Sequence, residues 1–242
     1  MGIIVQKFGG TSVANAAGLR RAARLISAAH STGSGVVAVV SAQGDSTDRL
    51  LQKAAEISPD PCKRELDALL ASGEQASMAL LAIAAEAQGC SAVSLSGPAA
   101  GIITDGHFGE AEITEIDTAR IRKELAAGRA VVVAGFQGAA PSGDVATLGR
   151  GGSDTSAVAL AAALGADICK IYTDVDGVYT ADPRRDPTAA KLDSISYDEM
   201  LAMAKSGAQV LHPRAVELAK KHRVRVEVLS SFTDAPGTVL TE

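Results

Sequence analysis

The stretch IIVQKFGGTS, residues 3–12, decides the fold. A short aliphatic run leads into the glycine pair Gly9-Gly10, and a segment with helical spacing, 18–30, follows. A strand, a glycine turn and a helix in this order are typical of an open α/β sheet. In such sheets ligands bind beyond the carboxyl ends of the strands. We therefore expect this glycine turn to border a binding site.

The same alternation continues along the chain. Continuous apolar runs of this length are typical of strands buried on both faces of a parallel sheet. The predicted strands are 3–5, 36–40, 92–95, 130–134, 168–172 and 224–229. The predicted helices are 18–30, 65–88, 118–127, 156–164, 197–205 and 213–222. The sequence thus predicts an α/β fold with right-handed crossovers, as one domain of two lobes with a weak seam near 141–144.

Composition excludes several classes of function. Of 242 residues, 47% are hydrophobic and only 3% aromatic, and the net charge is −5, so the chain lacks the aromatic platform and the basic surface of a nucleic-acid binder. No apolar run approaches the ~20 residues that cross a bilayer, so we expect no membrane partner. Three widely spaced cysteines, Cys62, Cys90 and Cys169, favour a reducing, cytoplasmic location.

Two early loops each allow a structural and a functional interpretation. The turn after the first strand can present backbone N–H groups and Lys7 to a phosphate, or it can be only a tight turn. In the loop 41–48, Asp45 or Ser46 can cap the next helix. Alternatively, this loop can offer the hydroxyl of Thr47 to a small polar substrate.

Two later segments carry stronger chemistry. In TLGRGGSD, residues 147–154, Arg150 stands between glycines as a bidentate donor for a carboxylate. A helix N-cap at Ser153 or Asp154 would explain only the end of this run. The segment 172–184 lacks the later acidic ligands of a calcium loop. It forms either simple turns or a nucleotide site.

Six motifs occur together and in order along the chain. They are KFGGTSV at 7–13, SGE at 72–74, AGFQG at 134–138, TLGRGGSD at 147–154, YTDVDGVYTADPR at 172–184 and LHPRA at 211–215. With them the chain resembles the catalytic domain of aspartate kinases, within the amino-acid kinase superfamily. The resemblance implies a three-layer αβα sandwich around a mostly parallel sheet. It also implies transfer of the γ-phosphoryl group of ATP to the side-chain carboxylate of L-aspartate, the entry to lysine, threonine and methionine synthesis.

The resemblance also implies roles for individual residues. Lys7 would neutralise the transferring phosphoryl group, and Asp154 would orient the lysine side of the site. The expected substrate-binding residues are Thr47, Glu74, Phe136, Arg150, Gly151 and Ser153, with Glu74 on the ammonium group and Arg150 on a carboxylate. The expected nucleotide-binding positions are Gly9, Gly10, Thr11, Thr173, Asp174, Tyr179, Arg184 and Gln209. Mg²⁺ would be bound mainly by the phosphates of ATP, so we name no metal ligands, and the family implies a homodimer.

Several residues depart from the family pattern. Gln209 stands where the family has a phosphate-binding lysine, which Lys205 one turn earlier could replace. Asp45, Ala99 and Glu112 differ on the acceptor side, and this leaves open a sister kinase that acts on another amino or hydroxy acid. A catalytically weak nucleotide-binding subunit is a further alternative. We expect one catalytic domain, 1–242, without ACT regulatory domains, in which an acceptor lobe (about 1–140) precedes a nucleotide lobe (about 141–242).

Overall fold

A computed structural model describes residues 2–183, 186, 188–208 and 210–242. The strands in this part of the chain are β1 (Ile3–Phe8), β2 (Gly35–Val40), β3 (Ala92–Leu95), β4 (Ile102–Thr104), β5 (Ile113–Ile116), β6 (Ala130–Ala134), β7 (Gln137–Ala139), β8 (Val145–Thr147), β9 (Ile168–Thr173), β10 (Ser194–Ser196), β11 (Val226–Ser230) and β12 (Thr238–Thr241). The helices are α1 (Ala16–Ser31), α2 (Ser46–Ile57), α3 (Lys63–Glu86), α4 (Ala119–Ala126), α5 (Gly152–Leu164), α6 (Tyr197–Lys205) and α7 (Pro213–His222).

The large sheet has eight strands in the order β10-β12-β11-β9-β1-β2-β6-β3. The six strands from β11 to β3 are parallel, and they are the six strands that the sequence predicts. Only the pair β12 and β10 at one edge runs in the opposite direction. Neither is a continuous apolar run, since β10 reads SIS and β12 reads TVLT, and this explains why no pattern indicated them.

Helices cover both faces of this sheet. Every residue of β2 is buried, and successive side chains point to opposite faces. Val37 joins a hydrophobic cluster with Leu160 of α5, whereas Val36 joins a second cluster with Leu81 of α3. The predicted three-layer α/β architecture is therefore confirmed.

A second, four-stranded sheet in the order β5-β4-β7-β8 was not predicted. Its strands have three or four residues each, too few for a periodic pattern. The predicted seam near 141–144 is the turn of the β7–β8 hairpin, where the N–H of Ala140 donates to the carbonyl oxygen of Asp144 at 2.8 Å. The division into two lobes at this point stays a prediction.

Helix α3 corrects the expectation about apolar runs. Within the described residues it is the one helix long and apolar enough, by length and composition, to cross a membrane. It packs against α1, α2 and the strands β3, β6 and β8. It also buries two carboxylates, Asp67 and Glu74. The core helix of a soluble protein passes the same test of length and composition.

Candidate active site

The loops at the carboxyl edge of the parallel strands are joined by backbone hydrogen bonds. Ser41 donates to Phe8 at 3.1 Å and Gly135 donates to Val40 at 3.0 Å, so each strand end is tied to the next strand end along the sheet. On the other side, Ser231 donates to the carbonyl oxygen at the end of β9, at 2.9 Å. Because the strands are parallel, these loops lie along one edge. Lys7 and Thr173 lie at the carboxyl ends of β1 and β9, and the other sequence-predicted site residues that the structure describes lie on these loops or on helices beside them.

Lys7 and Asp154 form an ion pair at this edge. The distance from Lys7 Nζ to Asp154 Oδ1 is 2.7 Å, and the two side chains are only 11% and 13% exposed. Asp154 lies in the first turn of α5, where the helix dipole favours a negative charge. Burial and the charge of Asp154 raise the pKa of the Cys169 thiol nearby on β9. The structure thus brings the two predicted catalytic residues together, and their catalytic role stays a prediction.

The glycine turn after β1 departs in part from the expectation. The N–H of Gly9 donates to the carbonyl oxygen of Tyr172 at 3.2 Å, so it is already used and does not fit the predicted phosphate donor. A Cβ at Gly10 would lie 2.8 Å from the carbonyl oxygen of Ala42, so glycine is needed where the turn meets the loop after β2. Thr11 is exposed at the rim of the turn.

Glu74 is a buried carboxylate that is only half satisfied. It is 4% exposed, and the N–H of Ala42 donates to its Oε1 at 2.9 Å. Its Oε2 is buried and has no hydrogen-bond partner in the described part of the chain. Burial raises the pKa of Glu74 to about 7, because a charged carboxylate loses its hydration there, and the bond from Ala42 opposes the shift. A cation such as an ammonium group would satisfy the free oxygen.

The loop after β2 passes directly into a helix. Helix α2 begins at Ser46, so Thr47 lies half-buried in its first turn. Asp45 stands at the N-cap position but makes no capping hydrogen bond there. Its carboxylate instead accepts a hydrogen bond from Nε of Arg49 at 2.9 Å. Capping therefore does not explain Asp45, and a role for Thr47 in substrate binding stays a prediction.

Two left-handed glycines hold Arg150 at the site. Gly149 has φ +69° and Gly151 has φ +68°, a region that favours glycine. Arg150 between them is exposed. Helix α5 begins at Gly152 with Gly151 as its N-cap, so the alternative N-cap at Ser153 or Asp154 is wrong. An exposed guanidinium on this anchored turn is available to a carboxylate.

Phe136 has a strained backbone beside this turn. Its φ is +69°, which is rare for a bulky residue and costs about 1–3 kcal/mol. Two hydrogen bonds hold it there, one from its N–H to Ser156 Oγ at 3.1 Å and one to its carbonyl from Leu148 at 2.8 Å. A Cβ on Gly152 would lie 2.8 Å from the Phe136 ring. Ser153, only 8% exposed, packs beside Gly135 in the loop after β6, so Phe136 and Ser153, two of the predicted substrate-binding residues, lie close together.

The expected nucleotide loop follows β9. Thr173 Oγ1 donates to Asp174 Oδ1 at 3.1 Å, and Asp174 is exposed. The hydroxyl of Tyr179 donates to Asp176 Oδ1 at 2.9 Å, and this bond raises the pKa of Tyr179. The N–H of Val178 donates to Thr238 Oγ1 at 2.8 Å. Nucleotide contacts by these residues stay a prediction. Arg184 and Gln209 lie outside the described residues.

Some buried polar residues were missed by the sequence analysis. Ser12 Oγ donates to Ser231 Oγ at 2.9 Å and so links the glycine turn to the loop after β11. Asp67 is 1% exposed and accepts hydrogen bonds from Gly109 and Thr147, which lie 42 and 80 positions further along the chain. The spacing of seven residues between Asp67 and Glu74 placed both on one face of α3, and this was the one usable signal.

The fold and the site define the class of protein. Residues 2–230 match the Amino acid kinase family, and the chain belongs to this family. It is 55% identical, over 242 residues, to a protein named aspartokinase from Geobacillus stearothermophilus; the match covers 100% of this chain and 60% of that protein.

Two solved structures are also similar. An aspartate kinase from Synechocystis has a TM-score of 0.88 and 49% identity over 99% of this chain and 39% of its own. Aspartokinase III from E. coli, in complex with aspartate and ADP, has a TM-score of 0.87 and 28% identity over 99% of this chain and 64% of its own. The chain thus spans less than two thirds of the length of these relatives.

Proposed function

We propose that this chain transfers the γ-phosphoryl group of ATP to the side-chain carboxylate of L-aspartate, giving 4-phosphoaspartate and ADP. The observation that carries the proposal is the Lys7–Asp154 pair, 2.7 Å apart at the carboxyl edge of the sheet. It places a fixed cation beside the loops where two anionic reactants must meet. The similarity to aspartokinases over almost the whole chain supports the choice of aspartate.

The site residues divide between the two reactants. The ammonium group of aspartate would pair with the free Oε2 of Glu74, and one carboxylate of aspartate with Arg150. An oxygen of the other carboxylate attacks the γ-phosphorus, and the bond from that phosphorus to the bridging oxygen breaks as ADP leaves. Lys7 offsets the charge on the transferring group. A carboxylate is already a nucleophile, so the step needs no general base.

Mg²⁺ is implied by this chemistry as a companion of ATP. Within the described residues no group of three or more His, Cys, Asp or Glu is placed to hold a metal ion. We name no protein ligand for Mg²⁺, which when bound to the nucleotide would neutralise phosphate charge.

Trapping of the acyl phosphate tests the proposal. ADP release is followed with a panel of amino and hydroxy acids while hydroxylamine converts any acyl phosphate to a hydroxamate. Hydroxamate from aspartate supports the proposal, and hydroxamate only from another acid would show a sister kinase. ATP binding without hydroxamate from any acid would leave a nucleotide-binding subunit.

We also propose that the chain is a single catalytic domain that forms a homodimer in the cytoplasm. Leu80 and Ile83, on the outer face of α3, are 40% and 64% exposed, and a second copy would cover them. Three free cysteines are consistent with a reducing compartment. Formation of 4-phosphoaspartate would place the chain at the start of lysine and threonine synthesis.

A further inference from the structure

Asp67 is a buried carboxylate that the proposed reaction does not use. It lies near the start of α3 and is 1% exposed. Its Oδ2 accepts the N–H of Thr147 at 2.7 Å and the N–H of Gly109 at 2.9 Å. Its Oδ1 accepts the hydroxyl of Thr147 at 2.8 Å. A buried carboxylate holds such donors firmly, because a lost donor leaves charge without a partner.

Thr147 is the last residue of β8 and lies three residues before Arg150. Its carbonyl oxygen accepts the N–H of Ala111 at 2.9 Å. The next residue, Leu148, donates its N–H to Phe136 at 2.8 Å. The backbone is therefore fixed up to Leu148, and Arg150 is carried on the short glycine turn that follows.

Helix α3 also carries Glu74, seven residues after Asp67. Seven residues are about two helical turns, so both carboxylates lie on one face, roughly 10 Å apart along the axis. One of them anchors the strand that leads to Arg150. The other presents a free oxygen at the site. A single rigid helix thus connects both groups.

We infer that Asp67 is a positioning residue for the acceptor amino acid. Through Thr147 it sets the distance between Arg150 and Glu74, which under the proposed function bind the carboxylate and the ammonium group of one substrate. The inference rests on that proposed function. If Asp67 only stabilised the small sheet, its loss would lower stability without a preference for either substrate.

A pair of threonine variants tests this selectivity. Thr147→Val removes the hydroxyl that Asp67 accepts, with little change in shape. The matched control is Thr238→Val, a buried threonine whose Oγ1 holds Val178 in the expected nucleotide loop. Loss of one hydrogen bond to a buried charge predicts a KM for aspartate about 10-fold higher in Thr147→Val. We expect the KM for ATP of Thr147→Val to stay within about twofold of the wild-type value. In the control Thr238→Val we expect the KM for ATP to rise and the KM for aspartate to stay within about twofold.

Substitution of Asp67 itself adds a graded series. Asp67→Asn can accept both N–H groups with its amide oxygen and donate to the Thr147 hydroxyl. Asp67→Ala leaves all three donors unpaired. We expect Asp67→Asn to keep most of the affinity for aspartate. We expect folded Asp67→Ala to have an affinity for aspartate about 100-fold lower than the wild type. If each variant changed the KM for aspartate and the KM for ATP by the same factor, the positioning role would be overturned.

Hydrogen exchange gives a readout that needs no substrate. The amides of residues 145–150 should exchange faster in Thr147→Val than in the wild type, and should be unchanged in Thr238→Val. If the wild type phosphorylates no acid, the proposed function fails, and exchange alone decides whether Asp67 anchors this segment. Unchanged exchange in Thr147→Val would overturn the inference, whichever acid is the acceptor.

Discussion

We expect Glu74 to make the proposed activity depend on pH. The pKa of its carboxyl group is about 7, so it is half protonated at neutral pH. Only the ionised form attracts an ammonium group, so kcat/KM for aspartate should fall up to tenfold per pH unit below pH 7. A pH profile between 5 and 9 measures this. The acidic limb should be absent in Glu74→Gln, and its persistence there would assign it to another group.

The raised pKa of Glu74 also affects the stability of the fold. Under the proposed function, rising pH strengthens substrate binding through this group but weakens the fold. Between pH 4.5 and 7 the folded chain holds a proton on Glu74 that the unfolded chain releases, so this group destabilises the fold as pH rises. Above pH 7 the full penalty, on the order of 3 kcal/mol, is present in the absence of substrate. Urea unfolding at several pH values should show this slope in the wild type and a flatter one in Glu74→Gln.

We expect the Lys7–Asp154 pair to contribute to both catalysis and stability. Both side chains are nearly buried, so removal of one partner should cost about 3–5 kcal/mol. Lys7→Met should also lower kcat by about 10²–10³-fold, because under the proposed function it removes a charge that stabilises the transition state. In Lys7→Met/Asp154→Leu we expect stability to recover while kcat stays low. Recovery of kcat in the double variant would contradict a direct role for Lys7.

At the scale of elements, the ends of α5 provide a matched comparison. Gly151 at its start and Gly165 at its end both have φ between +60° and +70°. A Cβ at Gly151 would lie 2.1 Å from His212 Cγ, whereas a Cβ at Gly165 would meet no atom of the described residues within 4 Å.

Alanine at each position separates strain from collision. Gly165→Ala should cost about 1 kcal/mol, the penalty for a left-handed alanine. Gly151→Ala should cost more than about 3 kcal/mol and reduce activity, since His212 or the turn must move. Urea denaturation of both variants checks this, and equal costs would show that the turn relaxes freely.

The six strands that the sequence predicted share an apolar character. The central strands β2 and β6 are continuous apolar runs and are buried throughout, so local pattern and burial agree there. The other four parallel strands carry one or two polar residues within short apolar stretches. The small sheet could not be predicted, because strands such as Gln137–Ala139 are too short for a pattern and depend on tertiary pairing.

The location of the candidate site was predictable, because its motifs follow predicted strands and the loops after parallel strands meet at one edge of the sheet. Lys7 and Asp154 were named from the resemblance, and their contact is visible only in the fold. The hydrogen bond donated by the N–H of Gly9 and the hydrogen bonds accepted by Asp67 both depend on partners far along the chain. Such partners are set by packing, which periodicity does not encode.

At the scale of the whole molecule, we expect the outer face of α3 to govern association. Ala76, Leu80 and Ile83 are exposed and uncharged there. In the proposed homodimer Ile83→Asp should bury a charge at the contact and shift the chain to a monomer. Light scattering over a range of concentrations measures the mass. Lys53→Asp, exposed on α2, is the control. A monomeric wild type would contradict the homodimer.

The position of β1 has a consequence for synthesis on the ribosome. Strand β1 is made before the other strands of the large sheet and lies in the middle of it, between β2 and β9. Its edge towards β9 must wait until residues 168–173 have been made. During that time an aliphatic edge is open to pairing with other chains. In a fragment that stops near residue 140 this edge of β1 would stay unpaired. The first half of the chain should therefore aggregate when it is expressed alone.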